Sequence, residues 1–259
     1  FFSESDVNIK FNRTSDSGIT TTLNYGLDEG AATAYDDLNA SLTHPDFGTV
    51  YFDPAGDDTA IGGFDEIADK AGEGSDSGMA AGYRGGIMGA GGTTLGLKLP
   101  SIIDNMTIAL SVGEAATEYF GYGLKYDAGT FTGSYVKEVT NTQTNTFVGG
   151  GMSFGDISVG VEQVTYEDDD AAADERKTEA YGIAYAMGDI TLAYEMGSMD
   201  DEAQSEEIEN HKQIAVSYAV APGITAILTS SAVDSNGPGT VGDDANDKEM
   251  MEFQLKLAF

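Results

Sequence analysis

The sequence predicts an all-β chain folded as a transmembrane antiparallel β-barrel, on three observations. Apolar residues recur at every second position, short turns alternate with longer acidic connectors, and the faces opposite the apolar ones are small or polar. The first alternating segment runs from Asp6 to Arg13, where Val7, Ile9 and Phe11 interleave with Asn8, Lys10 and Asn12. The pattern returns at Tyr181, Ile183, Tyr185 and Met187, at Ile190, Leu192, Tyr194 and Met196, and at Ile214, Val216, Tyr218 and Val220. The last segment is the clearest, with Met251, Phe253, Leu255, Leu257 and Phe259 set against Glu252, Gln254, Lys256 and Ala258. Helical spacing fits none of these runs.

Tight turns are predicted at Ser15 to Gly18, His44 to Gly48, Ile103 to Asn105, Asp127 to Gly129, Gly155 to Asp156, Gly188 to Asp189 and Ala221 to Gly223. Between them lie longer acidic connectors at Asp28 to Thr33, Asp168 to Arg176, Ser198 to Glu207 and Asp234 to Asp247, with two short ones at Gly113 to Thr117 and Thr140 to Thr144. This asymmetry separates two ends of one structure. The longest connector runs from about Pro54 to Gly92, rich in Gly and Asp, and a loop of that length in a compact domain is functional or disordered. Its apolar residues Ile61, Phe64, Ile67 and Ala68 are spaced for a short helical turn, so it is expected to fold and dock.

About fifteen strands can be counted, most of roughly 8 to 12 residues, the length that crosses a bilayer core when tilted. Soluble barrels use such strands too, so the decision rests on which face is apolar. Polar faces such as Thr20, Thr22 and Asn24, Asn39, Ser41 and Thr43, and Gly182, Ala184 and Ala186 suit a wet lumen. Aromatics near strand ends, at Tyr25, Tyr119, Phe120, Tyr126, Phe131, Phe154, Tyr166 and Phe259, read as interfacial girdles.

Composition excludes several functions. The 259 residues carry 12 Lys plus Arg against 44 Asp plus Glu, a formal charge of −32, which leaves no basic footprint for nucleic acid. The absence of cysteine removes disulfides, thiolate metal sites and thiol nucleophiles together. No apolar run approaches the roughly 18 residues that a spanning helix needs. An enzyme is not expected: the two histidines, His44 in a short turn and His211 at the long-loop end of its strand, are placed at opposite ends and cannot share a site. The glycine clusters Gly85 to Gly92 and Gly149 to Gly151 match no phosphate or dinucleotide fingerprint, and on a strand face glycine permits close packing or bending.

The closing segment Glu249 to Phe259, an alternating strand ending in an aromatic, resembles the terminal strand of Gram-negative outer-membrane proteins, in which the final aromatic, here Phe259, belongs to the assembly signal. The whole chain resembles a general diffusion porin of the alphaproteobacterial type. Ser5 to Leu27 reads as strand, Thr-Ser-Asp-Ser-Gly turn and strand, and Leu38 to Phe52 as strand, a turn ending Asp46-Phe47-Gly48, and a strand leading into the long loop. The resemblance implies a single barrel domain over residues 1 to 259, with residues 55 to 92 as an inward-folded constriction loop. In this family that loop follows the fifth strand, and bacterial barrels have even strand numbers, so sixteen strands are expected with the first one missing and Phe1 in an external loop.

Parity places Lys10 and Lys98 in the lumen, with Lys125 and Lys256 as further candidates and Arg84 if its loop enters the barrel. In the family a basic wall faces an acidic loop; here the acidic side is assigned to Asp57, Asp58, Asp65, Glu66 and Asp69. The basic wall is thin, so cation preference is expected. The acidic loops Glu167 to Asp170, Asp200 to Glu207 and Asp243 to Asp247 would focus cations or bind divalent ions weakly. No cofactor and no defined metal site are expected, since Asp234-Ser235-Asn236-Gly237 lacks the ligand spacing of a calcium loop.

The function implied is a water-filled outer-membrane channel for passive diffusion of small hydrophilic solutes and ions. By resemblance it is a homotrimer among outer-membrane lipid and lipopolysaccharide. The competing reading is a structural or adhesive barrel with a plugged lumen and acidic, divalent-ion-binding surface loops.

Overall fold

The computed structural model describes residues 6–28, 38–53, 61, 64, 67–68, 70, 93–114, 118–168, 175–201, 206–235 and 248–257. Among these there is no helix, and all regular structure is strand. The strands are β1 Asp6–Thr14, β2 Thr20–Asp28, β3 Leu38–His44, β4 Gly48–Asp53, β5 Thr93–Lys98, β6 Met106–Glu114, β7 Glu118–Asp127 and β8 Phe131–Thr140. They continue with β9 Gln143–Phe154, β10 Ile157–Asp168, β11 Glu175–Met187, β12 Ile190–Asp201, β13 Glu206–Ala221, β14 Ile224–Ser235 and β15 Lys248–Leu257. All 15 belong to one sheet whose spatial order is the chain order. Up-and-down antiparallel order is the topology that short turns between alternating strands produce.

Each of the seven predicted tight turns holds one residue in the left-handed region: Gly18, Gly48, Asn105, Gly129, Gly155, Gly188 and Gly223. At Gly48 (φ 85°) the glycine is required twice over, because a Cβ there would also overlap the carbonyl oxygen of Lys98. Of the connector expected over Ser198 to Glu207, the described residues, 198–201 and 206–207, are strand. Asp200 pairs with Glu207 and Asp201 with Glu206, beyond a bulge between Met199 and Asp200. A ladder is held by backbone hydrogen bonds, so acidic composition alone does not end it, and β13 at 16 residues exceeds the roughly 9 to 11 that a membrane crossing needs.

The chain divides into two compact units: residues 1–64, 88–125 and 136–142, and residues 65–87, 126–135 and 143–259. In both, burial is inverted relative to a water-soluble protein. In the first unit Phe11, Leu42, Phe52, Leu95 and Val112 are exposed, while Asp53, Thr94, Ser111 and Glu138 are buried. In the second, Ile157, Tyr185, Leu192, Val216, Leu228 and Phe253 form an exposed apolar row, each residue in register with the next across β10 to β15. The opposite face buries Glu162, Thr178, Glu195, His211, Gln213, Thr229 and Ser231.

An apolar face left open to its surroundings is stable where those surroundings are hydrocarbon. Along β11 the outward row Tyr181, Ile183, Tyr185 and Met187 spans three repeats of about 6.8 Å, about 20 Å of strand and, after a tilt of about 40°, about 15 Å of height, which fits inside the roughly 25 Å band of membrane barrels. At its connector end Tyr181 donates its hydroxyl to Glu179 (2.9 Å), and Glu179 pairs with Lys177. A phenol turned away from the apolar rows toward charge is the arrangement expected at a membrane–water boundary.

Two aromatics assigned to the girdle belong elsewhere. Tyr119 is 5% exposed, on the polar face of β7, where it donates to Glu138 Oε1 (2.8 Å). Tyr166 shares the parity of Glu162 and Val164, and so lies on the polar face of β10. Position near a strand end does not fix the face; parity does.

Candidate functional site

The described residues of the long connector lie against the polar face of the sheet, at one seat in each unit. In the first unit Ile61 and Phe64 are 0% and 3% exposed, joined by a turn in which Phe64 N donates to Ile61 O (3.2 Å). They pack on β7, where Gly121 and Gly123 leave room. A Cβ on Gly121 would lie 2.7 Å from Ile61 Cδ1, and one on Gly123 2.7 Å from Phe64 Cδ2. Two lysines flank the Phe64 ring, with Lys98 Nζ 5.9 Å and Lys125 Nζ 6.0 Å from its centroid. Lys98 Nζ also stands 4.8 Å from the Tyr51 centroid. The aromatic faces partly offset the mutual repulsion of the two ammonium groups.

In the second unit Ile67 and Ala68 are 4% and 0% exposed. Their backbone amides both donate to Glu162 Oε2, at 3.1 and 2.7 Å. The docked residues are those picked out by apolar spacing; they form a turn and bends rather than a helix.

Of the residues assigned to the site, Lys98 and Lys125 come together around Phe64. Lys10 is in register with Asn24, whose side chain donates to Asn39 (2.6 Å) on the next strand, so Lys10 shares that polar face and is exposed. Lys256 lies opposite Thr225 with the same parity. Asp57, Asp58, Asp65, Glu66, Asp69, Arg84 and Phe259 lie outside the described residues, as do the connector segments 169–174, 202–205 and 236–247. His44 sits in the turn end of β3, and His211 is the sixth residue of β13, buried.

Sequence reasoning missed the carboxylates of the polar face. Glu138, Glu162 and Glu195 are 1%, 6% and 1% exposed. The available signal was parity with small residues on the same face, Ser134 for Glu138, Gly160 for Glu162, and Ala193 and Gly197 for Glu195, while Val136 and Val164 on those faces obscured it.

A sheet that turns apolar side chains to its surroundings, gathers charge on the other face and docks a long connector there defines an integral β-protein of a membrane. The chain matches the Gram-negative porin family over residues 1–238 and belongs to it. It is therefore a porin of the Gram-negative outer membrane. Among solved structures it is similar to the anion-selective porin of Comamonas acidovorans, with TM-score 0.67, 12% identity and coverage of 98% of this chain and 87% of that one. Two engineered variants of the Rhodopseudomonas blastica porin match with TM-scores of 0.66 and 0.67 at 16% and 17% identity, each covering 99% of this chain and 90% of the other. At these identities the likeness establishes the barrel fold. No curated protein sequence matches the chain.

Proposed function

We propose that the protein is a general diffusion channel, admitting small hydrophilic solutes and ions passively and preferring cations. The observation that carries the reading is the inverted burial, with the long connector held on the polar face at Ile61, Phe64, Ile67 and Ala68. An acidic chain of formal charge −32, with Glu138, Glu162, Glu195 and Glu252 on that face, supports cation preference through the field it sets up at the entrance and along the wall. In this reading Lys10, Lys98, Lys125 and Arg84 form a thin basic wall opposite Asp57, Asp58, Asp65, Glu66 and Asp69, and three copies assemble among lipid and lipopolysaccharide. No catalysis and no cofactor are part of it.

The experiment is a planar bilayer under a salt gradient. Stepwise currents with a reversal potential displaced toward the cation equilibrium are expected. Insertion without current would favour the plugged, structural barrel, and a displacement toward the anion value would overturn the selectivity.

A further inference from the structure

Six inner-face positions of β9, β10 and β11 form a tile in the second unit. Gly149, Glu162 and Ala180 are one rung in register; Gly151, Gly160 and Gly182 are the next. Glu162 is the one residue of the six with a side chain longer than a methyl group.

The connector lies directly on this tile. A Cβ on Gly160 would overlap the carbonyl oxygen of Ile67, and one on Gly182 that of Ala68. A Cβ on Gly149 or Gly151 would press on the Ile67 side chain, at 3.0 and 3.2 Å. The close approach brings the amides of Ile67 and Ala68 onto Glu162 Oε2. Two consecutive backbone N–H groups on one carboxylate oxygen make a charge-assisted nest, stronger than the same bonds to a neutral acceptor and specific for backbone geometry rather than side-chain identity.

We propose that Glu162 is the positioning residue of the constriction: a wall carboxylate that clasps the connector backbone in a glycine-floored socket and so keeps the aperture static. This rests on the channel reading for its consequence, but the clasp itself can be tested without current. With the acceptor charge removed, the amides lose their partner in a buried site and the connector leaves the socket more often. Aperture noise then rises and voltage closes the channel more readily.

The chain has no cysteine, so Ile67→Cys supplies a single reporter inside the socket. The test is the rate at which a charged, water-borne thiol reagent modifies Ile67→Cys in the intact detergent-solubilised protein, alone and combined with Glu162→Ala or Glu162→Gln. Ser217→Cys, on the same face of β13, serves as reference. The expected result is slow modification with Glu162 present, at least tenfold faster with Glu162→Ala, intermediate with Glu162→Gln, and no change at Ser217→Cys. In bilayers the Glu162 variants should show noisier open levels and a lower closing voltage.

Equal rates at Ile67→Cys in barrels that keep the folded, heat-modifiable migration would overturn the proposal. So would failure of both Glu162 variants to assemble, since a clasp on the connector is not needed to form the wall. Should the native protein carry no current at all, the channel reading falls while the modification rates still decide the clasp.

Discussion

The two seats of the long connector, only a few residues apart in sequence, are held by opposite chemistry. At Ile61 and Phe64 the sheet receives side chains: an isoleucine and a ring fill the space over Gly121 and Gly123, with Lys98 and Lys125 on the ring. At Ile67 and Ala68 it receives backbone first, with carbonyls over Gly160 and Gly182 and amides on Glu162, and the Ile67 side chain lies beside these over Gly149 and Gly151. A seat made of side chains can repack around a different apolar residue, whereas one that admits backbone has no slack, because nothing in a peptide group can change rotamer.

The largest effect is therefore expected at the backbone seat. Gly182→Val places a branched side chain where the Ala68 carbonyl lies, costs about 3 kcal/mol or more of docking, and should expose the connector to limited proteolysis of the folded protein. Next comes Tyr119→Phe beside the side-chain seat. It deletes the hydroxyl that donates to buried Glu138, worth about 2 kcal/mol, read as a lower thermal midpoint of the detergent-solubilised protein. Phe64→Leu should cost only about 1 kcal/mol and leave proteolysis of the connector nearly unchanged. If it matched Gly182→Val, the distinction between the seats would be wrong. Smallest in stability is Lys98→Gln, which removes the cation over Tyr51 and Phe64 at a cost of about 0.5 kcal/mol. Its visible consequence is a reversal potential shifted further toward cations.

Much of the wall could be read from the sequence, for a local reason. Alternation is a property of consecutive residues, and a tight turn needs one residue at positive φ, so the strand runs and the glycines at 18, 48, 129, 155, 188 and 223 mark the same boundaries from both sides. The docking residues of the connector were legible because Ile61, Phe64, Ile67 and Ala68 stand out in a stretch of Gly and Asp. Their sockets were not. Glu162 meets Ile67 across 95 positions of sequence, and the tile of Gly149, Gly151, Gly160 and Gly182 exists only once three strands are in register.

Tyr119 and Tyr166 depart from the girdle because parity, and not nearness to a strand end, sets the face a side chain takes. Acidic composition likewise does not mark where β12 ends and β13 begins, because the ladder that pairs Asp200 with Glu207 and Asp201 with Glu206 is indifferent to the charges it carries.

In the membrane the apolar face meets lipid and the polar face meets water. Single cysteines on β15 at Met251, Glu252, Phe253, Gln254, Leu255 and Lys256, reconstituted in lipid vesicles and exposed to a charged thiol reagent, distinguish the two faces. Met251, Phe253 and Leu255 are 71%, 67% and 54% exposed in the folded chain, so in a soluble protein they would react readily. Cysteines at these three positions are expected to stay silent in the bilayer while those at 252, 254 and 256 react. Reaction at 251, 253 and 255 with silence at the other three would contradict this placement of the faces.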